Sequence, residues 1–302
     1  MTEDMNSTMG EEYNIQHLAI HVAAGITFTA GLMINGFIVA VNVTDWMKQR
    51  SVTSTDQILT SLAVTRVFFQ SACLLHIFLH YLFIEISIIL NIIMYYIFAV
   101  SFYTSIWLAN LLSVVFCLKI CNFHNVFFLR LKIMILQRVV HLIIACVLVP
   151  ICYSSTYFMI FTIEIPKNSA NKSNNWEIDD KAVLVFLLWD IVLFLMFFVS
   201  TVLLISSLCH HVNRMRCDRA VPGQLDTYYK TIKFSATSFL IYAFYFIAYM
   251  TTWFYKGSLD DVGINFSLSV LPTLHSMYLI YVTARLRCRL FTIVQHGAKR
   301  WI

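Results

Sequence analysis

Seven stretches of this chain, roughly 17–43, 56–81, 84–118, 138–161, 182–210, 230–255 and 262–284, are apolar for long enough to cross a hydrocarbon layer. A bilayer core about 30 Å thick is crossed by about twenty helical residues. Lipid offers no water to an open backbone, so crossings are helices or the strands of a closed barrel, and apolar runs of this length fit helices. Composition excludes a soluble alternative: hydrophobic residues make up 59% and charged residues 12%, about half the roughly 25% charge of a globular domain. The second and third stretches nearly merge around His80 to Glu85. One long bent helix would reduce the count to six, but 67–118 is too long for a single crossing. The expected fold is an all-α membrane protein, a seven-transmembrane-helix bundle. Residues 1–16 form an outer segment, 17–284 the bundle and 285–302 a short inner tail.

Basic residues set the orientation, because they resist translocation and collect on the cytoplasmic side. Of the 21 Lys and Arg, sixteen fall on one side if the N-terminus is outside: Lys48 and Arg50, then Lys119 to Arg138, Arg214 to Lys233, and Arg285 to Arg300. Four fall on the other side, Lys167, Lys172, Lys181 and Lys256, and Arg66 lies within a span. This predicts an extracellular N-terminus, a cytoplasmic C-terminus and a multi-pass protein of the plasma membrane. The sequons at Asn6 and Asn171 fall outside, where glycosylation can occur, whereas Asn42 lies at an inner helix end and is expected to carry no sugar. The acidic first sixteen residues have no apolar core and are not a signal peptide.

Arg66 is the most informative single residue. It follows Asp56 by ten positions, which places it about 15 Å into the membrane. A charge there costs at least ~2.5–3.5 kcal/mol, so it should face the bundle interior and find partners. Asn35 and Ser276, at similar expected depth, are candidates, with His275 beside the latter. The group reads either as a relay that rearranges on activation or as a static tie. Asp190 in the fifth span is the other intramembrane charge, readable as a ligand anchor or as a protonated helix–helix hydrogen bonder.

Aromatics gather in the outer halves of the third, fifth, sixth and seventh spans: Phe98, Phe102, Tyr103, Trp189, Phe194, Tyr242, Tyr245, Tyr249 and Trp253. Such a cluster suits an apolar small-molecule cavity with a few polar groups. Each member taken alone reads more readily as packing or lipid contact than as a pocket wall, and the cluster makes the better pocket argument. The inner segments leave no room for an enzymatic domain, so signalling would need a docking partner. Lys119, His211, Met215, Arg216, Arg285 and Arg287 would face that partner or anionic lipid. The eight cysteines show no metal spacing and read as buried thiols within helices, Cys288 also being a candidate for acylation. No nucleotide loop, catalytic triad, metal cluster or nucleic-acid patch is visible, so neither an enzyme nor a cofactor is expected.

Specific runs carry a family resemblance. G-L-M-I-N-G-F-I-V-A-V-N (31–42), Asp45-Trp46 and D-Q-I-L-T-S-L-A-V-T-R (56–66) resemble the first two helices of the type 2 (bitter) taste receptors. W-L-A-N-L-L-S-V-V-F-C-L-K-I-C-N-F (107–123) is similar to the third, with Cys117 for a usual Tyr and Cys121 for a usual Ala. L-L-I-S-S-L-C-H-H-V-N-R-M (203–215), Y-A-F-Y-F (242–246), P-T-L-H-S (272–276) and A-R-L-R (284–287) continue the likeness. The D-R-Y and N-P-x-x-Y marks of rhodopsin-like receptors are missing. Phe98 and Phe102 occupy positions where mammalian members carry a ligand-contacting Trp and Asn, and Asn265 falls where the family often places a pocket residue.

The resemblance implies a G-protein-coupled receptor for small bitter or noxious organic molecules, binding at Phe98, Phe102, Trp189, Asp190, Tyr242, Tyr245, Tyr249 and Asn265. It further implies an activation relay through Asn35, Arg66, His275 and Ser276, and coupling to an inhibitory-type heterotrimeric G protein such as gustducin. The departures suggest a diverged, non-mammalian member. A vomeronasal type 1 pheromone receptor shares the seven-helix plan, but D-Q-I-L and the H-x-x-x-M end of the fifth span count against it. A small transporter or channel would need internal repeats or broken helices, and none is visible.

Overall fold

A computed structural model describes the chain except residues 1, 49, 51–52, 83–86, 121–125, 169–179, 218–221, 255–260 and 301–302. For a further set, among them 2–17, 181–187, 252–254 and 261–269, the backbone alone is described. The described residues form nine α-helices: α1 (Thr2–Met47), α2 (Ser54–Leu82), α3 (Ile88–Ile120), α4 (Val126–Gln137), α5 (Val139–Asn168), α6 (Asp180–Cys217), α7 (Pro222–Phe254), α8 (Asp261–Val282) and α9 (Ala284–Arg300).

The helices are amphipathic in the inverse sense to a soluble bundle. Ile26, Met33, Phe78, Leu148, Leu195, Phe244 and Met277 are exposed, while Asn35, Arg66, Gln70, Thr104, Asn110, Thr201 and Ser276 are buried. An apolar exterior around a core that holds a charge and several polar side chains beside its apolar clusters is stable only where the surroundings are hydrocarbon. Five helical segments are long and apolar enough to cross a membrane: Leu18–Met47, Ser54–Leu79, Ile92–Phe116, Val139–Thr156 and Asp190–His210. Two shorter apolar helical segments, Ile232–Phe244 and Val270–Val282, belong to α7 and α8. The chain is therefore a multi-pass helical membrane protein.

Packing closes a ring. α1 lies against α2 and α8, α2 against α3, α3 against α5 and α6, α6 against α7, and α7 against α8. α3 is the central helix. Its Leu108, Leu112 and Val115 share one apolar cluster with Ile58, Leu62, Val139, Phe234 and Leu279. α2 starts with a capping box: Asp56 N–H donates to Thr53 Oγ1, and Asp56 Oδ2 accepts from the Thr53 backbone. Pro272 sits inside α8, where it lacks an N–H and crowds the preceding turn.

Several details differ from the sequence expectation. α1 begins at Thr2 rather than near residue 17. α4 occupies a stretch expected to be an inner loop, and the expected tail is the helix α9. The second and third stretches, counted separately in the sequence, are by contrast two separate helices, α2 ending at Leu82 and α3 beginning at Ile88. Of the cysteines, Cys146 is buried, but Cys152, Cys209 and Cys288 are exposed on helix surfaces. A thiol is apolar enough to face hydrocarbon as readily as a core.

Candidate functional site

Arg66 is the largest fully buried side chain of the described residues, 1% exposed. Its guanidinium reaches four side chains on three other helices. Nε donates to Ser105 on α3 at 3.4 Å and Nη1 to Ser276 on α8 at 2.7 Å. Nη2 donates to the Tyr242 hydroxyl on α7 at 2.9 Å and lies 3.0 Å from His275 Nδ1. Arginine has no acceptor, so Nδ1 accepts and the His275 ring proton sits on Nε2. A planar fork is the one cationic head that can serve so many partners in fixed directions.

The circuit continues into α1. Ser276 Oγ donates to Asn35 Oδ1 at 2.8 Å. Asn35 Nδ2 donates to its own helix at Gly31 O (2.8 Å) and to Gln70 Oε1 (3.3 Å), and Gln70 Nε2 donates to Thr273 Oγ1 at 3.2 Å. Gly31 makes this approach possible: a Cβ there would overlap Gln70 Nε2 and stand 2.5 Å from Thr273 Oγ1. Arg66, Asn35, His275 and Ser276, named from sequence, are thus brought into one network. Gln70, Thr273 and Ser105 were missed. Each is a neutral polar residue, and such residues recur along every span, so sequence gives no signal to single them out.

Two cavities flank Tyr242. The first, partly open to the surroundings, lies between Arg66, Phe69, Phe102, Ile106, Tyr242 and His275. The second, also partly open, lies between Phe102, Asn110, Asp190, Phe194, Phe197 and Phe246. Phe102, Ile106 and Tyr242 line both. Among the predicted ligand residues, Phe102, Asp190 and Tyr242 reach cavity walls. Phe98 instead stacks on Phe102 (6.0 Å between centroids) and tilts against Phe69 (4.9 Å), backing the wall. The side chains of Trp189, Tyr245, Tyr249 and Asn265 lie outside the described residues.

A second polar cluster joins the ends of α1, α2 and α9. Asp45, 1% exposed, meets Arg289 at 3.0 Å, Arg50 at 3.4 Å and Arg285 at 3.7 Å. Arg285 also pairs with Asp56 at 2.9 Å and bonds Asn42, which donates to Thr60 at 2.8 Å. Arg285, expected to face a partner, is therefore engaged within the chain, while Arg287 is exposed and donates to Tyr281 O at 3.3 Å. The side chains of Lys119, His211, Met215 and Arg216 lie outside the described residues, as do those of Asn6 and Asn171. Among the described residues no group of His, Cys, Asp or Glu is placed to hold a metal ion.

Comparison with known proteins gives a consistent likeness. The model of the taste receptor protein family (TAS2R) matches residues 12–298. Taste receptor type 2 member 43 of Pan paniscus is 31% identical over 92% of this chain and 93% of its own length. The Homo sapiens member 43 is 30% identical over the same shares. Taste receptor type 2 member 50 of Macaca mulatta is 32% identical over 66% of this chain and 69% of its own.

Proposed function

This chain belongs to the type 2 taste receptor family, a class of membrane receptors and not enzymes, and we propose that it senses small organic molecules in the paired cavities beside Tyr242 and reports them to a gustducin-type G protein. One observation carries this reading. Tyr242 is a wall of both cavities and also accepts a hydrogen bond from Arg66. A ligand that displaces the ring therefore acts on the side chain tying α2, α3, α7 and α8 together.

The energetics suit a switch. Each hydrogen bond to a charged group is worth about 1.5–3 kcal/mol, so exchanging one or two of them is enough to bias two packings of the same bundle. A ligand shifts such an equilibrium only by its differential affinity for the two. Contacts with the moving Tyr242 supply that difference, whereas contacts with a wall that stays still do not.

The excess of basic residues on one side supports an extracellular N-terminus and a cytoplasmic face built from the α1–α2, α3–α5 and α6–α7 connections with α9. With α4 and α9 counted as surface helices, α1, α2, α3, α5, α6, α7 and α8 are the seven spans. The same orientation places the sequons at Asn6 and Asn171 on the outer side, which supports glycosylation there and residence in the plasma membrane.

The test is intracellular calcium in cells expressing the chain with a gustducin-type chimeric α subunit and a panel of bitter compounds. A dose-dependent rise that requires the α subunit is expected. An ion current or solute flux in its absence, with no calcium response, would overturn the reading in favour of a channel or transporter.

A further inference from the structure

The two cavities share three residues but differ in charge. The first holds the Arg66 guanidinium. The second holds the Asp190 carboxyl, and among the described residues lining it there is no base. Asp190 is 6% exposed. Across from it on α3 lies Asn110, also 6% exposed, whose side-chain amide has no hydrogen-bond partner at either atom among the described residues. A buried amide without partners costs ~1–3 kcal/mol, which is tolerable where a bound molecule supplies them. The remaining wall is largely aromatic: Phe194 and Phe246 stack at 4.3 Å, and Phe197 meets Tyr242 edge-on at 5.0 Å.

A carboxyl, an unsatisfied amide and several ring faces around one apolar space form a set of complementary groups for an organic cation. The carboxylate supplies the opposite charge. The ring faces attract a cation through their quadrupoles, by ~2 kcal/mol or more when desolvated. Asn110 Oδ1 accepts an ammonium N–H, or its Nδ2 donates to an ether or carbonyl elsewhere on the molecule.

We propose that the second cavity is a cation subsite, taking the protonated or quaternary ammonium group of an organic ligand against Asp190, with Asn110 as its hydrogen-bonding partner. The inference deepens the receptor reading and rests on it for the word ligand. It also divides ligands by charge: Arg66 disfavours a cation in the first cavity, so a bound amine directs its neutral or electron-rich end there, past Tyr242.

The test reads the electrostatics of the cavity directly and needs neither agonist nor G protein. Ala109, which lines the second cavity, is replaced by cysteine (Ala109→Cys). Its rate of modification in native membranes is then measured with trimethylammonioethyl, sulfonatoethyl and methyl methanethiosulfonates. The chain without this substitution corrects for reaction at Cys152, Cys209 and Cys288, which are exposed. The cationic reagent is expected to outpace the anionic one by about tenfold or more, the equivalent of ~1.4 kcal/mol. Asp190→Asn should bring the ratio close to one while leaving the neutral reagent's rate unchanged, and Asp190→Glu should retain it. A cation-to-anion ratio indifferent to Asp190→Asn would overturn the proposal, as would a thiol that none of the three reagents reaches. A preserved ratio in a chain silent in the calcium assay would fault the receptor reading instead.

Discussion

Arg66 and Ser276 are 210 positions apart in the chain and 2.7 Å apart in the bundle. Their contact is the middle link of a chain of hydrogen bonds, because the same Ser276 hydroxyl donates onward to Asn35. A hydroxyl that accepts from a cation while donating to an amide is polarised in both directions, and the two bonds reinforce each other in a low-dielectric interior. Of the two partners expected for a charge at mid-membrane depth, Ser276 meets Arg66 directly and Asn35 is reached only through Ser276.

Ser276→Ala removes both links at once and leaves a guanidinium N–H and an amide oxygen without partners. We expect a stability loss of ~1–3 kcal/mol, seen as a lower thermal midpoint of the purified protein in detergent. Asn35→Ala should be similar. In a double-mutant cycle the pair should fall short of additivity by at least ~0.5 kcal/mol. Strict additivity would mean that the two side chains act independently despite their 2.8 Å contact.

Gly31 gives a sharper steric test. A methyl group there meets Gln70 Nε2 and Thr273 Oγ1, both held by their own hydrogen bond, whereas one at Gly25 or Gly36 meets nothing within 4 Å. Gly31→Ala should destabilise by ~1–3 kcal/mol through overpacking. Gly25→Ala and Gly36→Ala should be neutral or stabilising by up to ~1 kcal/mol, since alanine is the better helix former. The double variant Gly31→Ala with Gln70→Ala should recover part of the loss in thermal midpoint, because the overlapping amide is gone while Thr273 Oγ1 still stands 2.5 Å from the new Cβ.

What could be read from the chain alone follows from how unusual each residue type is in its place. Arg66 and Asp190 stood out because charge is rare at that depth, and both are buried, Arg66 within a hydrogen-bond network and Asp190 at a cavity wall. Gln70 and Thr273 did not stand out, since polar uncharged residues are common in membrane helices and only three-dimensional neighbours tell a structural partner from a bystander. α4 was hidden because its 12 residues mix Arg130 and Lys132 with apolar positions, a pattern that a hydropathy window averages into a loop. α9 was hidden for a related reason. Its basic start, Arg285 to Arg289, masks the apolar Leu290, Phe291, Ile293 and Val294 that follow, all exposed. That is the pattern of a helix lying at a membrane surface rather than crossing it.

Arg285 and Arg287 are two positions apart but differ in role. The first is held between Asp56, Asp45 and Asn42, while the second is exposed. Arg285→Ala should lower the thermal midpoint and make it less sensitive to salt, because a partly exposed ion-pair cluster is weakened by screening. Arg287→Ala should leave both unchanged. Equal effects from the two substitutions would show that the pairing to Asp56 contributes nothing beyond surface charge.

Tyr242 should separate sensing from relay. Tyr242→Phe keeps the ring that lines both cavities but deletes the hydroxyl that accepts from Arg66. Agonist concentration for half-maximal calcium response should therefore shift little, while the maximal response falls, since the ligand still binds but moves a ring no longer tied to the network. Phe102 is the complementary case. It lines both cavities, stacks on Phe98 and packs edge-on against Tyr103 at 5.2 Å, yet it has no polar atom with which to reach Arg66. Phe102→Ala should raise the half-maximal concentration and, at saturating agonist, leave the maximal response largely intact. If Tyr242→Phe altered potency alone and Phe102→Ala altered the maximum alone, the relay would run through the aromatic wall and not through the Arg66 hydrogen bond.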